Sequence, residues 1–470
     1  MAQEKRLILK HLDSPGYTPD IACYQKHGGY TTLKKVLALQ PITTADGKTV
    51  TPQEQLRNEV KQSGLRGRGG AGFSTGMKWS FINHATGKPV YLVCNCDESE
   101  PGTFKDRQIV HKDPHQLIEG IVLACYANEV HQAYIYMRGE FVKGAKIMNK
   151  ALAEARAANF LGKNILGSGF DLEIYLHRGA GAYVCGEETG AICSLEGRRP
   201  QPRIKPPYFP AVLGLYMCPT IVNNVETLCA VRHVLDMGAA EYAKLGVPGD
   251  PGTRIVGVSG MVQKPGYFEI EIGKVTIGEL IQMAGGPLPG RTIKAIVPGG
   301  SSSKVLRPED MVTLKKRNAD GTETATQVNV MDLPYDSANI GAAGSMTGSG
   351  GIVVIDNTVN MVEVAANVNA FYTHESCGQC TPCREGNVWL HKMLERLING
   401  KGRRVDADEL LRISRNIMGG KTVCAFGEGS TWPIESYVLK FRDEFIAQAA
   451  KAEDARTEVW GEAGINKVNE

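Results

Sequence analysis

The sequence predicts an α/β domain, a small β-grasp domain and a C-terminal helical bundle, and three observations carry that prediction. Strand-like and helix-like segments alternate between residues 63 and 250, the pattern of a largely parallel sheet faced by helices. A hairpin, a helix and a strand follow one another over 251–335, the element order of a β-grasp fold. Four helical stretches then surround a cysteine motif in 336–470, which suggests a bundle built to hold what the cysteines bind.

Taken in order, residues 1–62 read as an extension packing on the first domain, with short helices at Thr31 to Leu39 and Thr51 to Lys61. The α/β domain has strands at Val90 to Cys94, Ala133 to Met137 and Leu172 to His177, separated by helices at His115 to Asn128 and Phe141 to Ala158. In the β-grasp region the strands begin at Ile255, Gly266 and Ala295, and the helix is Thr276 to Ala284. A Gly/Ser-rich stretch, Gly341 to Gly351, leads to a strand at Ile352 to Asp356. Helices are expected at Met361 to Tyr372, Arg384 to Asn399, Asp406 to Met418 and Ser436 to Ala450.

Composition narrows the function. With 470 residues, 42% of them hydrophobic, the chain can bury a large core. No run of about eighteen apolar residues occurs, so any membrane role is expected to come through partners. A net charge of +3 with dispersed basic residues gives no support for nucleic-acid binding. The start, Met-Ala-Gln-Glu-Lys-Arg, has no apolar signal stretch, and eight of the 12 cysteines are scattered without a secreted-scaffold spacing. A cytoplasmic setting with reduced thiols is therefore expected. Cys94, Cys96, Cys125, Cys218 and Cys229 read as small buried hydrophobes.

The other four cysteines carry chemistry. Cys377, Cys380 and Cys383 stand at C-x2-C-x2-C spacing, and Cys424 follows alone. One short loop can wrap three corners of a cube while a distant thiolate supplies the fourth, the ligation pattern of a [4Fe–4S] cluster. Thiolates suit iron by softness. A structural zinc site would show two paired Cys/His arms instead.

Two glycine-rich loops lie in the α/β domain. The first runs from Gly64 to Trp79 and matches the dinucleotide fingerprint formally at Gly67, Gly69 and Gly72. That fingerprint has meaning only between a strand and a helix, and Glu54 to Gln62 reads as helix, so an ordinary dinucleotide loop is not expected. Bare backbone closing on a phosphate or flat ring, with positive charge from Arg68 and Lys78, is. The second loop, Arg178 to Thr189, follows a strand directly, where open α/β sheets bind ligands. Its paired carboxylates, Glu187 and Glu188, would repel phosphate and fit better as acceptors for hydroxyl, amide or ring N–H groups. With Asn95, Asp97, Glu98 and Glu100 after the first strand, and with Asn223, Asn224 and Thr227, they suggest a polar cleft for a large nucleotide.

These motifs, in this order and over nearly the whole chain, resemble the NADH-oxidising flavoprotein subunit of respiratory complex I. The resemblance implies a Rossmann-like FMN/NADH domain, a ubiquitin-like β-grasp domain and a bundle with one [4Fe–4S] cluster. It implies hydride transfer from NAD(H) to FMN and single electrons onward to the cluster. Gly67, Arg68, Gly69, Gly70, Lys78, Asn95, Asp97, Glu98, Tyr183, Gly186, Glu187, Asn223, Asn224 and Thr227 would surround FMN. Phe73, Phe81, Glu100, Glu188, Lys205 and Phe209 would meet NADH, with Glu98 and Glu188 placed to tune the flavin or orient the nicotinamide. Gly190 and Cys193, after the second loop, depart from the family's usual residues. The implied partners are a thioredoxin-like [2Fe–2S] subunit and a large iron–sulfur subunit, in a complex peripheral to the membrane. Two rival readings remain: the homologous diaphorase subunit of an NAD-reducing hydrogenase or formate dehydrogenase, and a non-catalytic scaffold with a structural cluster.

Overall fold

The computed structural model describes residues 3–317 and 322–451; residues 452–470, the end of the expected bundle domain, lie outside the described residues. Helix α1, Pro52–Gln62, is N-capped by Thr51 and carries proline in its first turn; it leads into the first glycine loop and the short helix α2, Thr75–Ser80. Strand β1, Tyr91–Cys96, is followed by α3, Asp106–Lys112, and α4, Pro114–Ala127. After β2, Gln132–Met137, come α5, Val142–Ala157, and β3, Glu173–Arg178. The second loop then starts α6, Glu188–Leu195, and β4, Thr220–Asn224, runs directly into α7, Val225–Met237.

The four strands form one parallel sheet in the order β3-β2-β1-β4. Leu92, Cys94, Ala133, Ile135 and Ile174 point to the face covered by α4 and α7, and every residue of α4 is buried. A helix buried on every side is a core helix, and the carboxylate of α4 is partnered: Glu119 accepts from Tyr30 N–H and Leu33 N–H. On the other face Val93, Tyr136 and Val222 pack against Ala191 and Ile192 of α6. Successive strands are added on one side of β1 and then, with β4, on the other, so the crevice beyond the C-terminal ends of β1 and β4 is the ligand position of such sheets. In the sequence the fourth strand is legible only as a polar segment.

The second sheet contains β5, Thr253–Gly260, and β6, Gly266–Glu271, as a hairpin, followed by α8, Ile277–Met283, with a full capping box, and β7, Ile293–Val297. An unforeseen hairpin, β8, Met311–Arg317, and β9, Glu323–Asn329, stands apart as a two-stranded ribbon. Strand β10, Gly351–Asp356, lies between β5, to which it is parallel, and β7, to which it is antiparallel. The sheet thus takes a strand from beyond residue 335, the expected end of that domain.

The helices α9, Met361–Glu375, α10, Thr381–Ile398, α11, Asp406–Ile417, and α12, Phe426–Lys440, follow, and after a break at Phe441 residues 442–451 are helical too, so the helix expected at Ser436 to Ala450 is divided there. Leu390, Leu394, Leu410, Ile417, Ile434 and Tyr437 interlock in their core, and Ala295 and Ile355 of the second sheet join it.

Candidate functional site

The first loop is held by backbone and polar contacts. Gly67 N–H donates to Phe73 O at 2.8 Å, and Arg68 N–H to Thr227 Oγ1 at 2.8 Å. Gly70 has φ +131° and nothing within 4 Å of where a side chain would stand; that backbone lies bare for a ligand. The Arg68 guanidinium turns away. It is buried, donating to Asp250 Oδ1 at 3.1 Å and Pro251 O at 2.7 Å, because a guanidinium carried into the interior needs a carboxylate. Arg68 therefore anchors the loop and brings no charge to the cleft.

Positive charge in the cleft comes from two lysines. Lys78 Nζ reaches Glu188 Oε2 at 3.3 Å and Val222 O at 3.1 Å; Lys205 Nζ reaches Glu187 Oε1 at 2.9 Å and Glu188 Oε1 at 2.7 Å. Burial works against ionisation of Glu188, yet Lys78 and Lys205 outweigh it and hold its carboxyl below the usual range. Glu187 Oε2 also caps α6, accepting from Thr189 N–H at 2.7 Å and Gly190 N–H at 3.0 Å. Gly190, unusual in the sequence, is explained here: a Cβ would stand 2.4 Å from Val184 O. Cys193 accepts from Arg203 Nε at 3.3 Å.

Segments after β1 and β4 complete the cleft floor. Asn95 Nδ2 donates to Gly186 O at 2.9 Å, tying β1 to the second loop. Asp97 is pushed up to about 7, chiefly by burial, and accepts from Ser99 Oγ at 2.8 Å. Glu98 is committed elsewhere: it accepts from Asp106 N–H at 2.7 Å and from the Arg107 N–H and Nε–H groups, both at 3.2 Å, at the start of α3. Its expected role beside the reacting atoms is not what these contacts describe. Asn223 Oδ1 accepts from Trp79 Nε1 at 2.9 Å, and Asn224 caps α7 while donating to Asp106 Oδ2 at 2.6 Å. Beneath them lies Lys105, only 1% exposed, paired with Asp106 and Glu226, each at 2.7 Å. Nothing in its local sequence marks it, since one partner is more than a hundred residues away.

Phe73 and Phe81 present half-exposed rings whose centroids are 6.2 Å apart; Phe209, also half-exposed, follows Lys205 on the same segment. Flat apolar faces beside two lysines suit a nucleotide base and its phosphates. Gly186 leaves similar room, with only Asp97 atoms, at 3.8 Å, near a would-be Cβ. Bare glycine backbone, two cations and open aromatic faces fit a flavin nucleotide and its dinucleotide substrate.

Toward the bundle, Tyr183 OH donates to Glu100 Oε2 at 2.5 Å, and Glu100 Oε1 accepts from Ser302 N–H at 2.7 Å. Tyr183 N–H donates to Glu375 Oε2 at 2.9 Å, and the Tyr183 ring packs edge-on against Phe371, Tyr372 and Phe426. Segments of the α/β domain and of the bundle thus meet at Tyr183. Glu375 ends α9 just before Cys377, and Phe426 follows Cys424 closely. The sequence carries no signal for Ser302, Tyr372 or Glu375, whose roles depend on distant contacts.

None of the 12 cysteines is paired in a disulfide. Cys380 stands at the start of α10, Cys383 lies in its first turn, and Val423 N–H donates to Cys380 Sγ at 3.2 Å, drawing the Cys424 segment onto the motif. Burial chiefly raises the Cys424 thiol, with the nearby Glu187, Cys377 and Cys383 adding to the effect. No group of three His, Cys, Asp or Glu among the described residues is set to hold a single ion. A four-iron cube makes a different demand, since each thiolate binds its own iron, and a four-thiol donor set fits it.

Three family models match the chain: the Nuo51 FMN-binding domain over residues 60–233, the SLBB domain over 255–305, and the NADH-ubiquinone oxidoreductase-F iron-sulfur binding region over 363–448. Similar proteins include the NADH-quinone oxidoreductase F 2 subunit of Rhizobium meliloti, 46% identical over 443 residues that cover 94% of this chain and 97% of that one. The NADH-quinone oxidoreductase F subunit of Mycobacterium bovis is 45% identical over 449 residues, covering 94% and 93%. Among solved structures, a chain of an NAD+-reducing [NiFe]-hydrogenase in the H2-reduced state matches with TM-score 0.75 and 30% identity, covering 95% of this chain and 68% of that chain.

Proposed function

The chain belongs to the family of NADH-quinone oxidoreductase F subunits, and on that premise we propose how its own residues divide the work of electron input. It is an NADH-oxidising flavoprotein with FMN and a [4Fe–4S] cluster. When bound, FMN takes two electrons from NADH as hydride and the cluster takes them singly, so the pair converts between the two kinds of transfer.

Around these groups the chain supplies position and charge. Gly67, Gly69, Gly70 and Gly186 lend backbone that closes on the flavin and its phosphate. Lys78 and Lys205 set positive charge against the phosphates, while Glu188, held ionised between them, orients the nicotinamide. Phe73, Phe81 and Phe209 offer faces for the adenine. Asn95, Asp97, Asn223, Asn224 and Thr227 brace the loops that do the holding. Arg68 and Glu98 brace from behind. Cys377, Cys380, Cys383 and Cys424 hold the cluster. In domain terms, residues 63–250 form a Rossmann-like FMN/NADH unit, and 251–335 with β10 a ubiquitin-like unit. The bundle within 336–470 is the cluster unit, and 1–62 packs on the first.

One observation supports this reading above others. The loop that carries Glu187 and Glu188 is bonded through Tyr183 to Glu375 at the start of the cysteine loop, so cleft and cluster share a wall. We further propose a thioredoxin-like [2Fe–2S] subunit and a large iron–sulfur subunit as partners that accept the electrons for quinone reduction. Among the described residues no helix is long and apolar enough to cross a membrane; a place on the cytoplasmic side, attached through the complex, is proposed.

Anaerobic titration of the reconstituted chain with NADH, followed by flavin absorbance and EPR, tests the assignment. Bleaching of the flavin by NADH, with a cluster signal that Cys380→Ala abolishes, is the expected result. Failure to bind FMN would overturn it. The hydrogenase likeness supports a second reading, a diaphorase subunit, and nickel in the purified native complex would favour that one.

A further inference from the structure

Cys383 is the most deeply placed of the four cysteines, and two side chains aim hydrogen-bonding groups at its sulfur. Asn387 lies one helical turn further along α10 and is fully buried. Its Nδ2 donates to Cys383 O at 2.9 Å and to Cys383 Sγ at 3.5 Å. The amide cannot be turned round without setting Oδ1 against that carbonyl, so the backbone fixes which end faces the sulfur. Ser376, the residue that follows α9, has its Oγ 3.3 Å from the same sulfur. A metal-bound thiolate has no proton to give, so with a cluster in place Ser376 is the donor.

Asn387 is an expensive residue for this position. Its Oδ1 is buried with no hydrogen-bond partner, a situation that an apolar side chain of the same size would avoid. What the amide offers, and a leucine would not, is the N–H directed at Cys383. Such a donor stabilises negative charge on the sulfur, and a reduced cluster carries one more negative charge than an oxidised one. The donor therefore favours reduction.

We infer that Asn387 and Ser376 are positioning residues that raise the reduction potential of the cluster by hydrogen-bonding the Cys383 thiolate. Both would act on the cluster through one of its ligands, Cys383. The inference rests on the reading of the four cysteines as ligands, and it is independent of how NADH or FMN binds.

The test is an EPR-monitored redox titration of the cluster in the full chain, poised with chemical mediators rather than NADH, alongside iron and sulfide analysis. Asn387→Leu and Ser376→Ala are each expected to keep the cluster and to shift its midpoint to more negative potential. The shift corresponds to up to about tenfold in the one-electron equilibrium, about 59 mV. An unchanged midpoint in either variant with iron and sulfide intact would overturn the inference. Should Asn387→Leu lose the cluster, Ser376→Ala, a small change at a half-buried residue, decides by the same criterion. A wild-type chain without iron or signal would overturn the ligand assignment itself, and this inference with it.

Discussion

Single side chains decide the charge of the cleft. Glu188 lies between two lysines that keep it ionised, so it holds its negative charge through the neutral range and below. Glu188→Gln leaves those cations in excess. We expect flavin content unchanged and KM for NADH altered by a few-fold to about tenfold; unchanged kinetics with full flavin would sink the role given to Glu188. Asp97 is the opposite case, a carboxyl that burial has pushed up to about 7. Between the ordinary carboxyl range and about 7 the folded state binds this proton and the unfolded state does not. Stability therefore falls as pH rises through that window and is level above it. Subtracting the pH dependence of Asp97→Asn from that of the wild type, by denaturant unfolding of the flavin-free chain, should reveal that slope. Identical profiles would show that Asp97 titrates normally.

At the scale of elements, the second loop depends on how closely α6 can approach the turn before it. Only glycine at position 190 permits the contact with Val184 O. Gly190→Ala must move backbone, and we expect about 1–3 kcal/mol of lost stability together with weaker FMN retention, read by unfolding and by flavin content after gel filtration. Normal stability and flavin would mean the loop is more yielding than this contact implies. The same element shows why sequence patterns mislead: from helix propensity Gly190 looks like a weak point, while its real partner is a carbonyl of the preceding turn. The cysteine motif is legible for the converse reason, because three of its members lie within one local loop and a single helical turn. Asn387 carries a local signal as well, its spacing of four from Cys383 on a helix, which places both side chains on one face.

Across the whole molecule, alternation of strands and helices announces the parallel sheet, and the glycine loops and acidic segments announce a cleft. Long-range partners stay hidden. Arg68 reads as a cleft cation until Asp250, 182 positions away, takes its charge. Glu98 reads as a cleft acid until the start of α3 is seen to occupy it. Strand β10 reads as the opening of the bundle, because nothing local says that it pairs with β7 and with β5, the latter almost a hundred residues earlier. That placement bears on how the protein is made. A nascent chain emerging from the ribosome presents β5 with one long edge unpaired until β10 is available to cover it, and an open strand edge is a template for wrong pairing. The cysteine loop is synthesised only after that strand. The strand that covers this edge is therefore made before the four cluster cysteines, and a ribosome stalled short of residue 351 leaves a fragment with that edge open and no cluster site yet made.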